Sequence, residues 1–213
     1  MEKILEFFEM VRVRLSPWKR LEPVDSSKTF GEFLATRAAF IAQKTLYGYV
    51  KTRMGMKYPQ MFEDDIFIES LNISKWQVYA ACLSDLAIFM AAQLYARNGN
   101  PEEASAIADK HYTDCISDRF GDSEFTGDSQ ALIETFRNRL VLVDWNNAAD
   151  TEGAFKESPK ALVRWAPIDD SLKKYDREIV ENSIRFQWQR VRSDFRKAFD
   201  ADAFLADWHR LAA

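Results

Sequence analysis

The sequence predicts an all-α fold, a single-domain helical bundle of about six to eight helices. Apolar residues recur every three to four positions along most of the 213 residues, which is the period of an amphipathic helix. The chain contains only 7 glycines and 6 prolines, fewer turn residues than a sheet protein of this size needs. Hydrophobic residues make up 47% of it, including 16 Phe, 7 Tyr and 6 Trp, so we expect a core rich in packed rings.

A first helix is predicted over residues 2–15. Its apolar stripe consists of Ile4, Phe7, Phe8, Val11 and Leu15. Basic residues follow, with Trp18 among them, and this combination suits anionic lipid headgroups. Two alternatives follow for residues 2–20. They dock on a membrane surface through Phe7, Phe8 and Trp18, or they pack on their own domain or on a second copy of the chain.

The second helix is predicted to begin at Thr29, which opens a capping box, and to end before Gly55. The segment 56–71 is predicted to be irregular or to contain one short strand. Pro59 breaks a helix there, while the apolar residues 66–68 suit either a strand or a helical turn.

Asn72 or Ser74 is predicted to cap a third helix that ends near Gly99. The stretch 78–96 within it is apolar enough to be tested as a membrane span. Asp85 alone costs about 3 kcal/mol on the membrane-insertion scale, however. The stretch is therefore better interpreted as the central helix of a folded core.

Further helices are predicted from the same apolar period. They span 101–121, 129–146, about 161–165, about 169–199 and about 203–211. Residues 147–158 are polar and small and are predicted to form a linker-like loop. We therefore predict a helical core over residues 1–146, with residues 159–213 forming C-terminal helices that pack on the same domain.

Asp85 is the polar position that most needs a partner. The predicted helix around it is apolar on every side, and such a helix is buried. A buried carboxylate must be paired, hydrogen-bonded or protonated. Since Arg37 and Lys44 share the apolar stripe of the preceding helix, we predict a buried ion pair between Asp85 and Arg37 or, failing that, Lys44.

His111, Asp114 and Cys115 are spaced to lie on one side of a helix. A cysteine with a histidine can form a nucleophile and its base, or part of a metal site. Asp85, His111 and Cys115 are therefore the catalytic candidates. The alternative is a packed histidine beside a buried thiol, with Asp85 in a structural ion pair.

No cofactor or metal site is predicted. The sequence contains no Gly-x-Ser-x-Gly, His-Glu-x-x-His or Cys-x-x-Cys motif and no glycine-rich phosphate loop. The net charge of −4 disfavours nucleic acid as a partner. Two cysteines inside predicted helices, and acids where a secretory signal carries bases, predict a cytoplasmic protein. The inner face of a membrane is the alternative location.

The predicted helix over residues 169–199 interleaves basic and aromatic side chains. Arginine and aromatic residues anchor protein interfaces, so Arg185, Trp188 and Arg192 are predicted to form an interaction surface. The alternative is that Phe195 and Phe199 mark a core-facing stripe and the arginines are its solvated side.

The run FGEFLATRAAFIAQKTLYGYVKTRMGMKYPQMFEDD lies within residues 30–75. It resembles a family of small, mostly uncharacterised helical proteins from alpha-proteobacteria, some of which carry an esterase label. The resemblance implies a bacterial chain and a hydrolase as one candidate activity. It brings no catalytic motif with it and assigns no catalytic residue.

The leading hypothesis from the sequence is a non-catalytic helical protein that acts by macromolecular binding, as an adaptor, regulator or assembly factor. A protein partner or self-association is expected. The alternatives are a hydrolase of a small ester or lipid, as the family label suggests, and a peripheral membrane protein.

Overall fold

The computed structural model describes residues 21–120, 127–150 and 152–212. Eight α-helices lie in these ranges: α1 Ser27–Met54, α2 Asp65–Asn98, α3 Pro101–Phe120, α4 Ser129–Leu140, α5 Trp145–Ala149, α6 Glu157–Trp165, α7 Asp170–Ala198 and α8 Ala201–Ala212. The predicted all-α fold is confirmed. Within the same ranges the one extended pairing is an isolated bridge between Val24 and Phe199.

Helix α2 is the central element and packs against α1, α3, α5 and α6. Its middle section is buried on every side, because apolar residues occupy all faces of the helix there. By length and composition α2 could cross a membrane, but 83% of its most apolar window is buried inside the protein. That burial is typical of a core helix, which is the role predicted from the sequence.

Helix α1 begins one turn earlier than predicted. Ser26 is the N-cap: its hydroxyl accepts from the Thr29 backbone N–H, while the Thr29 hydroxyl accepts from the Ser26 N–H. The capping box is therefore Ser26 with Thr29, and the prediction of Thr29 as the cap is wrong. The predicted end is confirmed at Gly55, whose φ of 53° suits glycine.

The segment after α1 contains two short 3-10 helices, Gly55–Lys57 and Gln60–Glu63. An irregular segment was expected here, but the alternative of a strand at residues 66–68 is wrong. Asp64 caps α2 by accepting from two backbone N–H groups, so α2 begins two turns before the predicted cap at Asn72 or Ser74.

The segment 147–158, predicted to form a linker-like loop, includes helical and buried residues at its described positions. Helix α5 occupies its first part, and both Ala154 and Phe155 are buried in the core. The Phe155 ring lies 5.4 Å from Phe89 and 4.8 Å from Trp188, centroid to centroid. A Cβ at Gly153 would lie 2.1 Å from the Asn147 carbonyl oxygen, so only glycine fits there.

The long helix α7 runs antiparallel to α1. Three contacts mark their alignment: Phe33 with Phe195, Lys44 with Gln187, and Arg53 with Asp176. Helix α8 contacts the first turn of α1, where Asp207 accepts from the Ser27 backbone N–H at 2.9 Å. Residues 159–212 therefore pack on the same body as α1 and α2.

Candidate functional site

Helix α7 has two apolar faces. One face is buried against α1 and α6 and consists of Val180, Ile184, Trp188, Val191 and Phe195. The other consists of Leu172, Tyr175, Ile179 and Phe186, which are 43%, 77%, 73% and 66% exposed. We call these four residues the outer stripe. Single exposed apolar residues are ordinary, but four large ones aligned on one helix form a patch that needs an explanation.

The outer stripe follows the heptad spacing of a coiled-coil seam. Leu172, Ile179 and Phe186 are seven residues apart and take the a positions. Tyr175 takes the first d position, and the exposed polar residues Asn182 and Gln189 take the next two. A seam with this spacing is shaped to receive another helix.

Charged side chains border the outer stripe on both sides. Glu178 and Arg185 lie on one flank, seven residues apart. Glu178 is exposed, and Arg185 is partly exposed and bonded to Glu181 at 2.9 Å within its own helix. Asp169 and Arg190 belong to the opposite flank, and both are exposed.

More apolar surface lies at the same end of the molecule. The ion pair between Arg53 and Asp176 joins the last turn of α1 to the first part of α7. Met56, just beyond α1, is 97% exposed, and Ile66 in the first turn of α2 is 76% exposed. Met56 and Ile66 therefore add exposed apolar side chains near the end of α1 and the start of α2, beside the part of α7 that Arg53 contacts.

Two of the residues predicted to form an interaction surface are buried. Trp188 is 1% exposed and donates its indole N–H to the Ser158 hydroxyl at 3.0 Å. Arg192 is 8% exposed, with its guanidinium 5.5 Å from the centre of the Phe155 ring. Both predictions are wrong, because these residues belong to the inner face of α7. Only Arg185 of the three lies on the surface.

The other predicted interaction residues, Phe7, Phe8 and Trp18, lie outside the described part of the chain, as does the whole predicted helix over residues 2–15.

Asp85 has no exposed surface and is fully paired. Its carboxylate lies 2.7 Å from the Arg139 guanidinium and accepts the backbone N–H groups of Glu157 and Ser158 at 3.1 and 2.7 Å. Burial raises the pKa of Asp85, and the arginine and the two N–H groups oppose that rise. Arg139 also donates to the Ser84 hydroxyl. Asp85 thereby fastens α4 and the first turn of α6 to α2.

The predicted partners of Asp85 were wrong. The Arg37 guanidinium instead lies over the Phe33 ring, 5.3 Å from its centre. Lys44 donates its ammonium group to the Gln187 side chain at 2.8 Å. Both side chains lie where α1 meets α7, whereas Asp85 faces α4 and α6.

His111 and Cys115 line a groove of about 800 Å³ between the first turns of α1 and the C-terminal halves of α3 and α8. His111 is 3% exposed, and its Nε2 lies 3.4 Å from the Ser27 hydroxyl oxygen. Burial lowers the pKa of His111 to about 4, so the ring is neutral at neutral pH. Asp114 also lines the groove, where it pairs with Lys110 at 2.8 Å.

The three catalytic candidates are not assembled in one place. The structure brings His111 and Cys115 to the groove, as their spacing predicts, but it holds Asp85 in the interface of α2, α4 and α6. Among the residues with described positions, no group of three or more His, Cys, Asp or Glu side chains is placed to hold a metal ion.

The chain matches no protein-family model, no curated protein and no solved structure. Its function is therefore inferred from geometry.

The outer stripe was missed in the sequence although its signal was present. The spacing of four apolar residues puts them on one face of a helix: 172, 175, 179 and 186. The same helix has a second and longer apolar face, and that face was the one noticed. Arg139 carried no usable signal, since only the docking of α4 on α2 brings it to Asp85.

Proposed function

We propose that this protein acts by binding another protein chain, which docks an α-helix along the outer stripe of α7. The exposure of four aligned apolar side chains supports this proposal. Fully burying a large apolar side chain stabilises a complex by about 1.5–3 kcal/mol before the costs of association. The role is that of an adaptor, regulator or assembly factor rather than an enzyme.

The spacing of the stripe favours a helix as the docked element. Side chains at a and d positions receive the knobs of a facing helix, while an extended strand would need an unpaired sheet edge. Asn182 interrupts the apolar seam, and a polar residue in a seam typically fixes register at some cost in stability.

The charges beside the stripe favour protein over lipid. A helix that lies on an anionic membrane carries a largely basic polar face. Acidic residues border the outer stripe on both flanks, Asp169 and Asp176 on one and Glu178 on the other. Association of residues 2–20 with a membrane remains a separate proposal. Flotation of liposomes with the chain, and with a variant lacking the first 22 residues, tests it.

The variant Ile179→Glu tests the proposed function, with Val141→Glu as its matched control. Val141 is 83% exposed and lies outside the stripe. We expect the wild-type chain and Val141→Glu to self-associate or to retain a stoichiometric protein from native cells, and Ile179→Glu to do neither while remaining folded. A wild-type chain that is monomeric and retains no stoichiometric partner contradicts the proposal.

Hydrolysis of a small ester is a second candidate, favoured by the neutral His111 beside the Ser27 hydroxyl in an open groove. The Ser27 backbone N–H is already donated to Asp207, so it is not free to act as an oxyanion donor. A short-chain aryl ester is the probe. Hydrolysis that is abolished by both Ser27→Ala and His111→Gln supports this activity, and a rate no higher than that of buffer excludes it for this probe.

A further inference from the structure

We infer that the helix that occupies the outer stripe is α7 of a second copy of this chain, running antiparallel to the first. This inference rests on the proposed function and names its partner. The charges that flank the stripe carry it, because they pair favourably in only one of the two orientations that a two-fold axis allows.

In the antiparallel orientation the seam layers pair each a position with a d position of the other copy. Tyr175 then faces the partner's Phe186. By two-fold symmetry Phe186 faces the partner's Tyr175 in a second, equivalent layer. Ile179 faces the partner's Asn182 in the two central layers. Leu172 faces the partner's Gln189 at the ends, so aromatic pairs bracket a centre that contains one polar residue from each copy.

The same register places opposite charges side by side on both flanks. Glu178 lies between the layers of Tyr175 and Ile179, and the position opposite it is the partner's Arg185. On the other flank Arg190 lies opposite the partner's Asp169. Two-fold symmetry doubles each pair, which gives four attractive contacts.

The parallel orientation loses these contacts. It places Glu178 opposite the partner's Ser183, which offers no charge. It also places Arg185 opposite the partner's Arg190, and symmetry doubles this repulsion. Like charges across a seam set orientation by disfavouring the wrong pairing.

Each of these pairs has a group available. Asp169 is the N-cap of α7 and accepts from the Ser171 backbone N–H through Oδ1, so its Oδ2 is the oxygen left for the partner's Arg190. The Arg190 side chain is 73% exposed, and its contact with Asp194 is long, at 3.8 Å. Arg185 donates one nitrogen to Glu181 and another to Asn182, which leaves further guanidinium N–H groups for a second carboxylate. Asp176 is already bound to Arg53 and Tyr49, and its antiparallel neighbour is the partner's uncharged Ser183.

The seam from Leu172 to Gln189 spans 18 residues, or about 27 Å of helix. Two helices of this length bury less than the roughly 1,200 Å² of a standard interface. We therefore expect a reversible dimer with a micromolar dissociation constant, populated at high local concentration.

Charge reversal at residues 178 and 185 tests the inference by sedimentation equilibrium of the full chain. Glu178→Arg alone places an arginine at position 178 opposite the partner's Arg185. Arg185→Glu alone places a glutamate at position 185 opposite the partner's Glu178. Each single variant should dimerise about tenfold more weakly than wild type. The double variant, and an equimolar mixture of the two single variants, should recover dimerisation because each restores opposite charges. Circular dichroism verifies that every variant keeps the wild-type helix content.

Three results overturn the inference. Arg185→Glu that strengthens the dimer indicates the parallel orientation. A dimer that is insensitive to both reversals lies on another surface. A monomeric wild-type chain that retains a different protein, and loses it in Ile179→Glu, leaves the proposed function intact and removes the second copy as its partner.

Discussion

Asp85 and the outer stripe of α7 break the usual distribution of polar and apolar groups in opposite ways. Asp85 is a charge without any exposed surface, and the outer stripe is a set of large apolar side chains in solvent. The chain itself explains the first, since Arg139 and the first turn of α6 satisfy the carboxylate. For the second we propose an explanation outside the chain, a docked helix. A buried charge with internal partners indicates architecture, whereas an aligned apolar face in solvent indicates an interaction.

The largest effect is expected when the buried charge loses its partner. Arg139→Met leaves the Asp85 carboxylate uncompensated in the core, so the free energy of unfolding should fall by about 3–5 kcal/mol in urea denaturation. Arg137→Met is the matched control on the same helix, because Arg137 pairs with Asp109 at the surface and its removal should change little. Equal effects of the two substitutions would show that Asp85 does not depend on Arg139.

The buried face of α7 should be nearly as sensitive. Ile184 has no exposed surface, and Ile184→Ala should lower the free energy of unfolding by about 2–5 kcal/mol through lost burial and a cavity. Chemical denaturation of the wild type and the variant gives the difference. A loss below 1 kcal/mol would mean that this face is not packed as described.

His111 is intermediate between the buried Asp85 and the exposed outer stripe, because its titratable ring is buried but lines an open groove. Its pKa is about 4 in the folded chain against an ordinary 6.5, so the unfolded chain binds the proton first as the pH falls. The stability that neutral His111 contributes is complete above pH 6.5 and is lost progressively as the pH falls towards 4. This loss amounts to about 2–3 kcal/mol.

The variant His111→Gln cannot take up that proton. Its stability should therefore decline less than that of the wild type between pH 6.5 and 4, and denaturation at several pH values measures the difference between the two slopes. Parallel slopes would place the ring in solvent.

The smallest effect on stability is expected on the outer stripe. Ile179→Ala should change the free energy of unfolding of the monomer by less than about 0.5 kcal/mol, because the side chain is 73% exposed. Ile184→Ala, five residues later on the same helix, provides the contrast. A loss of more than about 2 kcal/mol in a dilute monomer would show that Ile179 is packed within the chain.

The helix boundaries that local chemistry sets could be predicted from the sequence. Gly55 and Gly99 end α1 and α2 with positive φ, and Pro101 begins α3 as expected. The start of α1 was assigned to the wrong residue because Ser26 and Thr29 are both good caps and only the fold selects between them.

Long-range pairing could not be predicted. The ion pair of Asp85 depends on how α4 and α6 dock on α2, and no local pattern encodes that docking. On α7 the sequence offers two apolar faces. Periodicity does not say which of two faces turns to the core, so the outer stripe was missed and Trp188 was assigned to the surface.

Sedimentation velocity of the wild type and Ile179→Glu at matched concentrations, combined with their urea midpoints, tests the central claim most directly. We predict that substituting this exposed residue removes the faster-sedimenting species, or the complex with a retained partner, and leaves the midpoint of the monomer unchanged. Unchanged sedimentation in every preparation, or a collapse of the midpoint, would contradict the assignment of the outer stripe as the binding surface.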